Sequence, residues 1–357
     1  MDWTTIRTEL HKWYFNHKRD LPWRKTTDAY TIWLSEIILQ QTRVEQGLPY
    51  FNRFVKRFPK VSDLAAAEQD EVLRLWEGLG YYSRARNLHQ ASKSVVTEHE
   101  GEFPKSYASI KNLKGIGDYT AAAISSFAYN LPHAVVDGNV YRVLSRICGE
   151  ATPINTNEGK KRFQSLADAF LDKEKPGDHN QAIMEFGALQ CVPKNPNCLD
   201  CPLKEACVAH ARAMVSELPQ KLRKTYNKQR YLNYWFFQFE DGTWVEQRQE
   251  GIWKALHQFP LYESERPLEG EELPSILEER YQLNPNDYKM QLWRLPLHKL
   301  SHQSLYISMW EIHLSKQAAQ KLEGLYKQLK LTQLKELALP RPLRKFLDEN
   351  QLTLPLD

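Results

Sequence analysis

Cys191, Cys198, Cys201 and Cys207 stand in the pattern CxxxxxxCxxCxxxxxC, short enough for one stretch of chain to wrap a metal centre. Thiolates are soft ligands, and four of them in one segment can close a zinc site or hold an iron–sulfur cluster without help from elsewhere. The spacing alone does not choose between the two. A disulfide framework is the competing explanation, but it belongs to small secreted domains. The opening stretch, MDWTTIRTELHKWYFNHKRD, has neither the apolar core of a signal peptide nor a membrane span. Reduced thiols and a cytoplasmic location are therefore expected, with no membrane partner. The fifth cysteine, Cys148, falls outside the pattern.

A chain of 357 residues is long for a single core and suits two. From Trp3 to about His210 apolar residues recur at helical spacing, as in Ile32, Trp33, Glu36, Ile37 and Gln40, or Val72, Leu75, Trp76 and Leu79. After Leu218-Pro219 come Lys221, Arg223, Lys224, Lys228 and Arg230 with no acidic residue among them, a composition suited to a linker. Beyond it the period changes: Tyr231–Phe239 is rich in aromatics, Asp241-Gly242 signals a hairpin turn, and Leu305–Leu314 alternates around Tyr306, Ser308 and Trp310. The expected fold is multidomain: an all-α domain over residues 1–216, a basic linker over 217–230, and a smaller α+β domain over 231–357. No fixed-period repeat points to a solenoid. The formal net charge of +4 permits a polyanionic partner without requiring one.

Three segments carry chemistry. Leu113-Lys114-Gly115-Ile116-Gly117-Asp118-Tyr119 sets Gly115 and Gly117 one residue apart, ahead of the small-residue run Ala121, Ala122, Ala123. Such a turn brings backbone N–H groups and a helix N-terminus to a phosphate oxygen, or it is simply a glycine turn between packed helices. Asp137 follows Val135-Val136 and precedes a helical run through Val143, Leu144 and Ile147. It reads as an N-cap, a position where the helix dipole keeps a carboxylate ionised and ready to face a developing cation. Glu36 shares a helical face with Trp33, Ile37 and Gln40. It is either a buried acid with a raised pKa or a residue at the edge of the stripe with its head in water. One raised and one depressed carboxyl is the division of labour that cleaves a glycosidic bond through an oxocarbenium-like transition state.

The region from Leu21 to Cys207 resembles the helix-hairpin-helix DNA glycosylases that carry a 4Fe-4S cluster, in the identity and the order of these pieces. The resemblance implies an iron–sulfur cluster on Cys191, Cys198, Cys201 and Cys207, in a loop over 191–207. Within that superfamily the adenine-specific branch is matched more closely than the pyrimidine-specific endonuclease III branch. Tyr119 stands where the latter has the lysine that forms a Schiff base with the sugar. Tyr141 replaces another lysine able to trap the abasic product, so little lyase activity is expected. Leu34–Thr42 and Glu77–Ala85 are similar to the branch's LSExxLQQT and WEGLGYYSR segments. By that resemblance Gln41 and Tyr81 wedge into the base stack when adenine flips out, Arg19, Arg24 and Glu36 surround the flipped base, Asn139 supports the pocket, and the hydroxyl of Tyr119 lies near Asp137. Arg19 and Arg24 equally suit phosphate binding on the surface, as do Lys194 and Lys204 of the cysteine loop. Asp118 departs from the proline or arginine common in the turn.

The second half is similar to the Nudix-like domain that the adenine-specific branch adds. Gly251–Pro260 resembles its GLWxxLWxFP segment, and His298-Lys299-Leu300-Ser301-His302 the HxFSH loop that inspects 8-oxoguanine, with leucine for phenylalanine at position 300. Ser301 and His302 keep their hydrogen-bonding groups. Glu278-Glu279-Arg280 lacks the ordered glutamates of a Nudix box, so recognition without hydrolysis is expected. The resemblance implies a monomeric base excision repair glycosylase that acts on double-stranded DNA. It would remove adenine mispaired with 8-oxoguanine or guanine, with Glu36 as general acid, Asp137 stabilising the sugar cation and Tyr119 orienting it. A sliding-clamp or mismatch-repair contact suits the family, but no segment here is assignable to one.

Overall fold

The computed structural model describes residues 2–222 and 227–350; Arg223 and Lys224 of the basic linker lie outside them. By contacts the chain divides into two compact units, Met1–Ala66 with Asn87–Arg223 and Ala67–Arg86 with Lys224–Asp357. Among the described residues no helix is long and apolar enough to cross a membrane.

The first unit is all helical among its described residues. At its centre the helix Ala29–Leu39, capped by Asp28, buries nine of its eleven residues, Glu36 included. A helix apolar on nearly every side belongs inside a domain. The helices Tyr107–Asn112 and Asp118–Tyr129 form the hairpin around the glycine turn. The second is rich in alanine and serine on its buried positions, which lets its neighbours approach closely. Pro176–Leu189 and Gly138–Cys148 complete the inner layer. Their backbones come so near that a Cβ on Gly187 would sit 2.6 Å from the Cβ of Asn139. Trp3–His17 packs its buried Ile6, Leu10, Trp13 and Tyr14 into the same core as Val143, Phe163, Phe170 and Phe186.

In the second unit, Lys228–Phe239 and Gln303–Leu314 run parallel at the middle of the sheet. Tyr288–Arg294 pairs antiparallel with Gln303–Leu314, and Gly242–Gln247 folds back on Lys228–Phe239. Alternation along the first strand feeds two cores. Leu232, Tyr234 and Phe236 point to the side closed by Leu343, Phe346 and Leu347 of the helix Arg341–Glu349. Trp235 and Phe237 point to the side closed by Leu273 and Leu277 of the helix Leu273–Tyr281. The sheet is therefore a layer between helices, as the period of two demands when both faces are apolar.

The hairpin falls one residue earlier than the Asp-Gly pair suggests. Phe239 pairs with Gly242, so Glu240 and Asp241 make the turn, with Glu240 taking φ 51°. Phe236 is wholly buried between the Phe259 and Phe346 rings. Phe236→Ala is expected to lower stability by about 3–5 kcal/mol, as large-to-small changes do in cores that cannot collapse. A shift of the denaturation midpoint of the second unit in urea, followed by tryptophan fluorescence, checks this.

Candidate active site

A cavity of about 600 Å³ opens where the ends of five helices meet, and Glu36, Tyr119, Asp137, Arg19, Arg24 and Gln41 all line it. Glu36 arrives from the last turn of Ala29–Leu39 and is only 7% exposed, which rules out a head group in water. The hydroxyl of Tyr119 donates to Glu36 Oε2 at 2.8 Å. Tyr119 stands in the first turn of Asp118–Tyr129, which packs along Ala29–Leu39, so its hydrogen bond goes to Glu36 while the charge of Asp137, the carboxyl expected near it, also acts on it. Gln40 Nε2 bridges the same two helices by donating to Thr120 Oγ1 at 3.2 Å. Burial first, and then the charge of Asp137, push Glu36 from 4.5 to about 7, against the Tyr119 hydrogen bond and Arg24. Burial beside Glu36 also drives the Tyr119 hydroxyl well above its ordinary value, so it stays a donor.

Asp137 caps Gly138–Cys148. Its Oδ1 accepts from the backbone N–H of Asn139 and of Val140, both at 2.8 Å, and its Oδ2 accepts from Asn139 Nδ2 at 2.9 Å. Burial nevertheless raises its pKa, outweighing those bonds and the nearby Arg142. The depression expected from the cap alone is thus overturned by desolvation. Three donors nevertheless converge on this carboxyl, all of them complementary to its ionised form. Arg142 in turn donates to Asn139 Oδ1 at 2.8 Å, to the Gly187 carbonyl at 2.6 Å and to the Cys191 carbonyl at 2.7 Å.

Arg19 and Arg24 are not free cations. Both grip Glu185, with Arg19 Nη2 at 2.6 Å and Arg24 Nη2 at 2.8 Å from Oε2. Burial pushes Glu185 up, but the bonds from Arg19 and Arg24 prevail and hold it at about 2. Glu185 was overlooked in the sequence although it carries the same signal as Glu36, a glutamate within an apolar helical run between Met184 and Phe186. It cancels part of the positive charge at the cavity and fixes both arginines in place.

In the glycine turn only Gly115 requires glycine. It has φ 82°, and a Cβ there would lie 2.6 Å from the Asn87 Cβ. Gly117 is extended, with open space where a side chain would be, and it caps the helix Asp118–Tyr129. Asp118 is paired with Lys111 and accepts from the Tyr107 hydroxyl at 3.0 Å. Gln41, at the cavity edge, and Tyr81, in the second unit, both adopt left-handed backbone, φ 53° and 46°. Side chains of this size hold that conformation only where the surroundings enforce it, a frequent mark of functional positions.

Cys191, Cys198, Cys201 and Cys207 line one small cavity together with Arg146, whose Nη1 lies 3.3 Å from Cys191 Sγ. Arg146 also donates to the carbonyls of Val192 and Pro193. No group of three or more His, Cys, Asp or Glu among the described residues is arranged to hold a metal ion. The chemistry of the four thiols still suits one: burial, and after it the neighbouring cysteines, push Cys201 up to about 11. Four thiolates in this space need positive charge between them. Lys194 is exposed on the same loop; Lys204 is half-buried, donates to the Leu199 carbonyl at 3.3 Å and lies close to Glu205.

In the second unit the Ser301 hydroxyl meets that of Tyr81, and His302 is exposed. Leu300 packs against the core under the sheet, so it is no exposed stacking platform. Glu278, Glu279 and Arg280 are all exposed on Leu273–Tyr281 and form no acidic cluster.

Residues 34–168 match the model of the HhH-GPD superfamily base excision DNA repair proteins, and residues 234–349 match the NUDIX domain. The helical unit is similar to a solved thermostable thymine-DNA glycosylase, 27% identical with a TM-score of 0.55 over 59% of this chain and 97% of that one. It shares its fold with endonuclease III in a DNA complex, TM-score 0.52. The molecule is thus a helix-hairpin-helix base excision glycosylase, an enzyme whose substrate is DNA, with a Nudix-like domain attached. An adenine DNA glycosylase of Buchnera aphidicola subsp. Acyrthosiphon pisum is 33% identical over 341 residues, covering 94% of this chain and 95% of its own. That of Mus musculus is 41% identical over 226 residues, 61% of this chain and 44% of its own. This chain belongs to the adenine DNA glycosylase family.

Glu36 carries a stability cost that its neighbours do not remove. Its folded pKa lies above the unfolded value of 4.5, so its contribution is intact below pH 4.5 and lost as pH rises through about 7. Glu36→Gln is therefore expected to stabilise the protein by about 3 kcal/mol at pH 8.5 and by nearly nothing at pH 4. Urea unfolding of both proteins at the two pH values reads the difference directly.

Proposed function

We propose that the enzyme hydrolyses the N-glycosidic bond of adenine mispaired with 8-oxoguanine or guanine, and that it does so without strand cleavage. The observation that carries this reading is the pair of carboxyls in one cavity, Glu36 lifted to about 7 and Asp137 ringed by three donors. The adenine leaves the helical stack to enter the cavity, while Gln41 and Tyr81 fill the space it vacates. Glu36, protonated near neutral pH, donates to adenine N7 and turns the base into a neutral leaving group. Tyr119 holds one Glu36 oxygen and leaves the other to carry the proton. Asp137 as carboxylate faces the cationic sugar, and water completes the reaction. Arg19 and Arg24, held by Glu185, present a fixed rim to the base. The open side of Gly117, at the start of a helix, suits the approach of a phosphate oxygen.

The lyase route needs an amine. Among the described residues that line the cavity there is no lysine, and Tyr141 packs edge-on against Phe163. Cys191, Cys198, Cys201 and Cys207 would hold a 4Fe-4S cluster whose part is to cross-link the loop that Arg142 and Arg146 anchor. The bond-breaking steps fall to Glu36 and Asp137. Ser301 and His302 supply the hydrogen bonds that read the base opposite adenine.

Single-turnover assays on duplexes with adenine opposite 8-oxoguanine, adenine opposite guanine, or thymine glycol, with and without alkali, test substrate and lyase activity together. Adenine release that needs alkali for strand scission is expected, lost in Asp137→Asn. Ser301→Ala with His302→Ala should bring the rate opposite 8-oxoguanine down toward that opposite guanine. Release of thymine glycol with spontaneous scission would overturn the assignment.

The pH profile examines the acid. Excision is expected to fall as pH rises through about 7, where Glu36 loses its proton. The Tyr119 bond lowers the Glu36 pKa, so Tyr119→Phe should move that fall to higher pH; a fall that stays in place or moves down refutes the acid role.

A further inference from the structure

The turn that presents Tyr81 is held from within and from without. Gly78, Gly80 and Tyr81 all have positive φ, 97°, 72° and 46°. Trp76 Nε1 donates to the Gly80 carbonyl at 3.0 Å, and Arg84 Nη2 donates to the carbonyls of Leu79 and Gly80 at 3.2 Å each. These bonds shape the turn but do not say where it sits. Its placement comes from either end. Before the turn, Glu77 Oε1 accepts from Arg344 Nε at 2.9 Å. Arg344 sends its Nη2 to the carbonyls of Leu337, at 2.7 Å, and Leu334, at 3.2 Å, so one guanidinium joins Glu77 to two further points of the second unit. After the turn, Arg86 Nη1 donates to the Lys254 carbonyl at 2.7 Å. Between these anchors the Tyr81 hydroxyl meets the Ser301 hydroxyl.

The Glu77–Arg344 pair is the stronger anchor. Both side chains are largely buried, 18% and 16% exposed, and a charge pair of this kind is screened little by salt. The planar fork fixes direction as well as distance, which a lysine would not do. Tyr81 by contrast is 48% exposed and strained, so its own packing does not hold it.

We propose that Glu77 and Arg344 are positioning residues for mispair recognition: their ion pair holds the Tyr81 turn against the Ser301 loop, so that Tyr81 enters the base stack and Ser301 reads the opposite base as a single event. This rests on the roles of Tyr81 and Ser301 proposed above. Neither residue touches substrate; both act through Tyr81.

The test uses full-length, cluster-loaded enzyme with Arg344→Met, Glu77→Ala and the double variant. A duplex with 2-aminopurine beside 8-oxoguanine reports stacking by Tyr81, and single-turnover excision opposite 8-oxoguanine and opposite guanine gives the preference. Each single variant is expected to reduce both the fluorescence change and the preference by about fivefold, the low end of measured coupling between linked sites. The double variant should lose no more than either single one, because the two residues form one interaction. Glu77→Gln, nearly isosteric, is expected to lose in the same direction and serves if a larger change prevents folding. Wild-type fluorescence and preference in a folded variant overturn the proposal, as do additive losses that fall equally on both substrates. If the wild-type enzyme itself shows no preference for 8-oxoguanine, the reading of Ser301 fails, and the fluorescence arm still decides whether the pair positions Tyr81.

Discussion

One buried guanidinium holds the catalytic unit together. Arg142 leaves the helix that Asp137 caps, and it ties Asn139 beside Asp137 to the Gly187 backbone and to the Cys191 carbonyl at the head of the cysteine loop. It is 8% exposed, and all of its bonds end on oxygens. Such a group is expensive to leave unpaired, so the helix, its neighbour Pro176–Leu189 and the loop take up one mutual arrangement. Arg146, one turn further along, repeats the device on Val192 and Pro193. One helix therefore joins the cysteine loop to the cavity, through these hydrogen bonds and through the core in which Val143, Ile147, Cys191 and Cys201 pack.

Four carboxyls line this cavity; Asp118 is exposed, and the other three are each held in a different electrostatic state by their partners. Glu185 has two arginines and stays ionised far below neutral pH. Glu36 has one tyrosine hydroxyl and is lifted to about 7. Asp137 has three N–H donors against a burial penalty that still raises it. Burial is common to all three, so what separates them is the number and charge of the donors each one meets. The three thus differ sharply: an anion that fixes two arginines, an acid lifted to about 7, and a carboxyl whose donors are already in place. The cost of Glu36 is borne by the core around it, as expected where function needs a group that stability does not.

The second unit pairs a NUDIX match with a surface that gathers no acidic cluster at Glu278, Glu279 and Arg280. Its contribution lies at the edges, where the loop carrying Ser301 and the helix Arg341–Glu349 both reach the segment Ala67–Arg86. That segment runs into the first turn of the helix Ser83–Glu98 but belongs to the second unit by contact, which local pattern does not suggest.

By itself the sequence determined the two kinds of architecture, the cysteine loop, the glycine turn, and Glu36 and Asp137 as suspects. Helical period, strand alternation, Cys spacing and N-cap placement are all local, and they are written within a few residues. It did not determine the partner of Tyr119, the grip of Arg19 and Arg24 on Glu185, or the raised pKa of Asp137. Each of these depends on residues far apart in the chain, Tyr119 and Glu36 by 83 positions and Arg19 and Glu185 by 166. Only packing brings such groups within a few ångströms, and only burial sets the dielectric in which they interact. The tertiary structure decided the protonation of the site because desolvation is a property of the whole core and not of any segment.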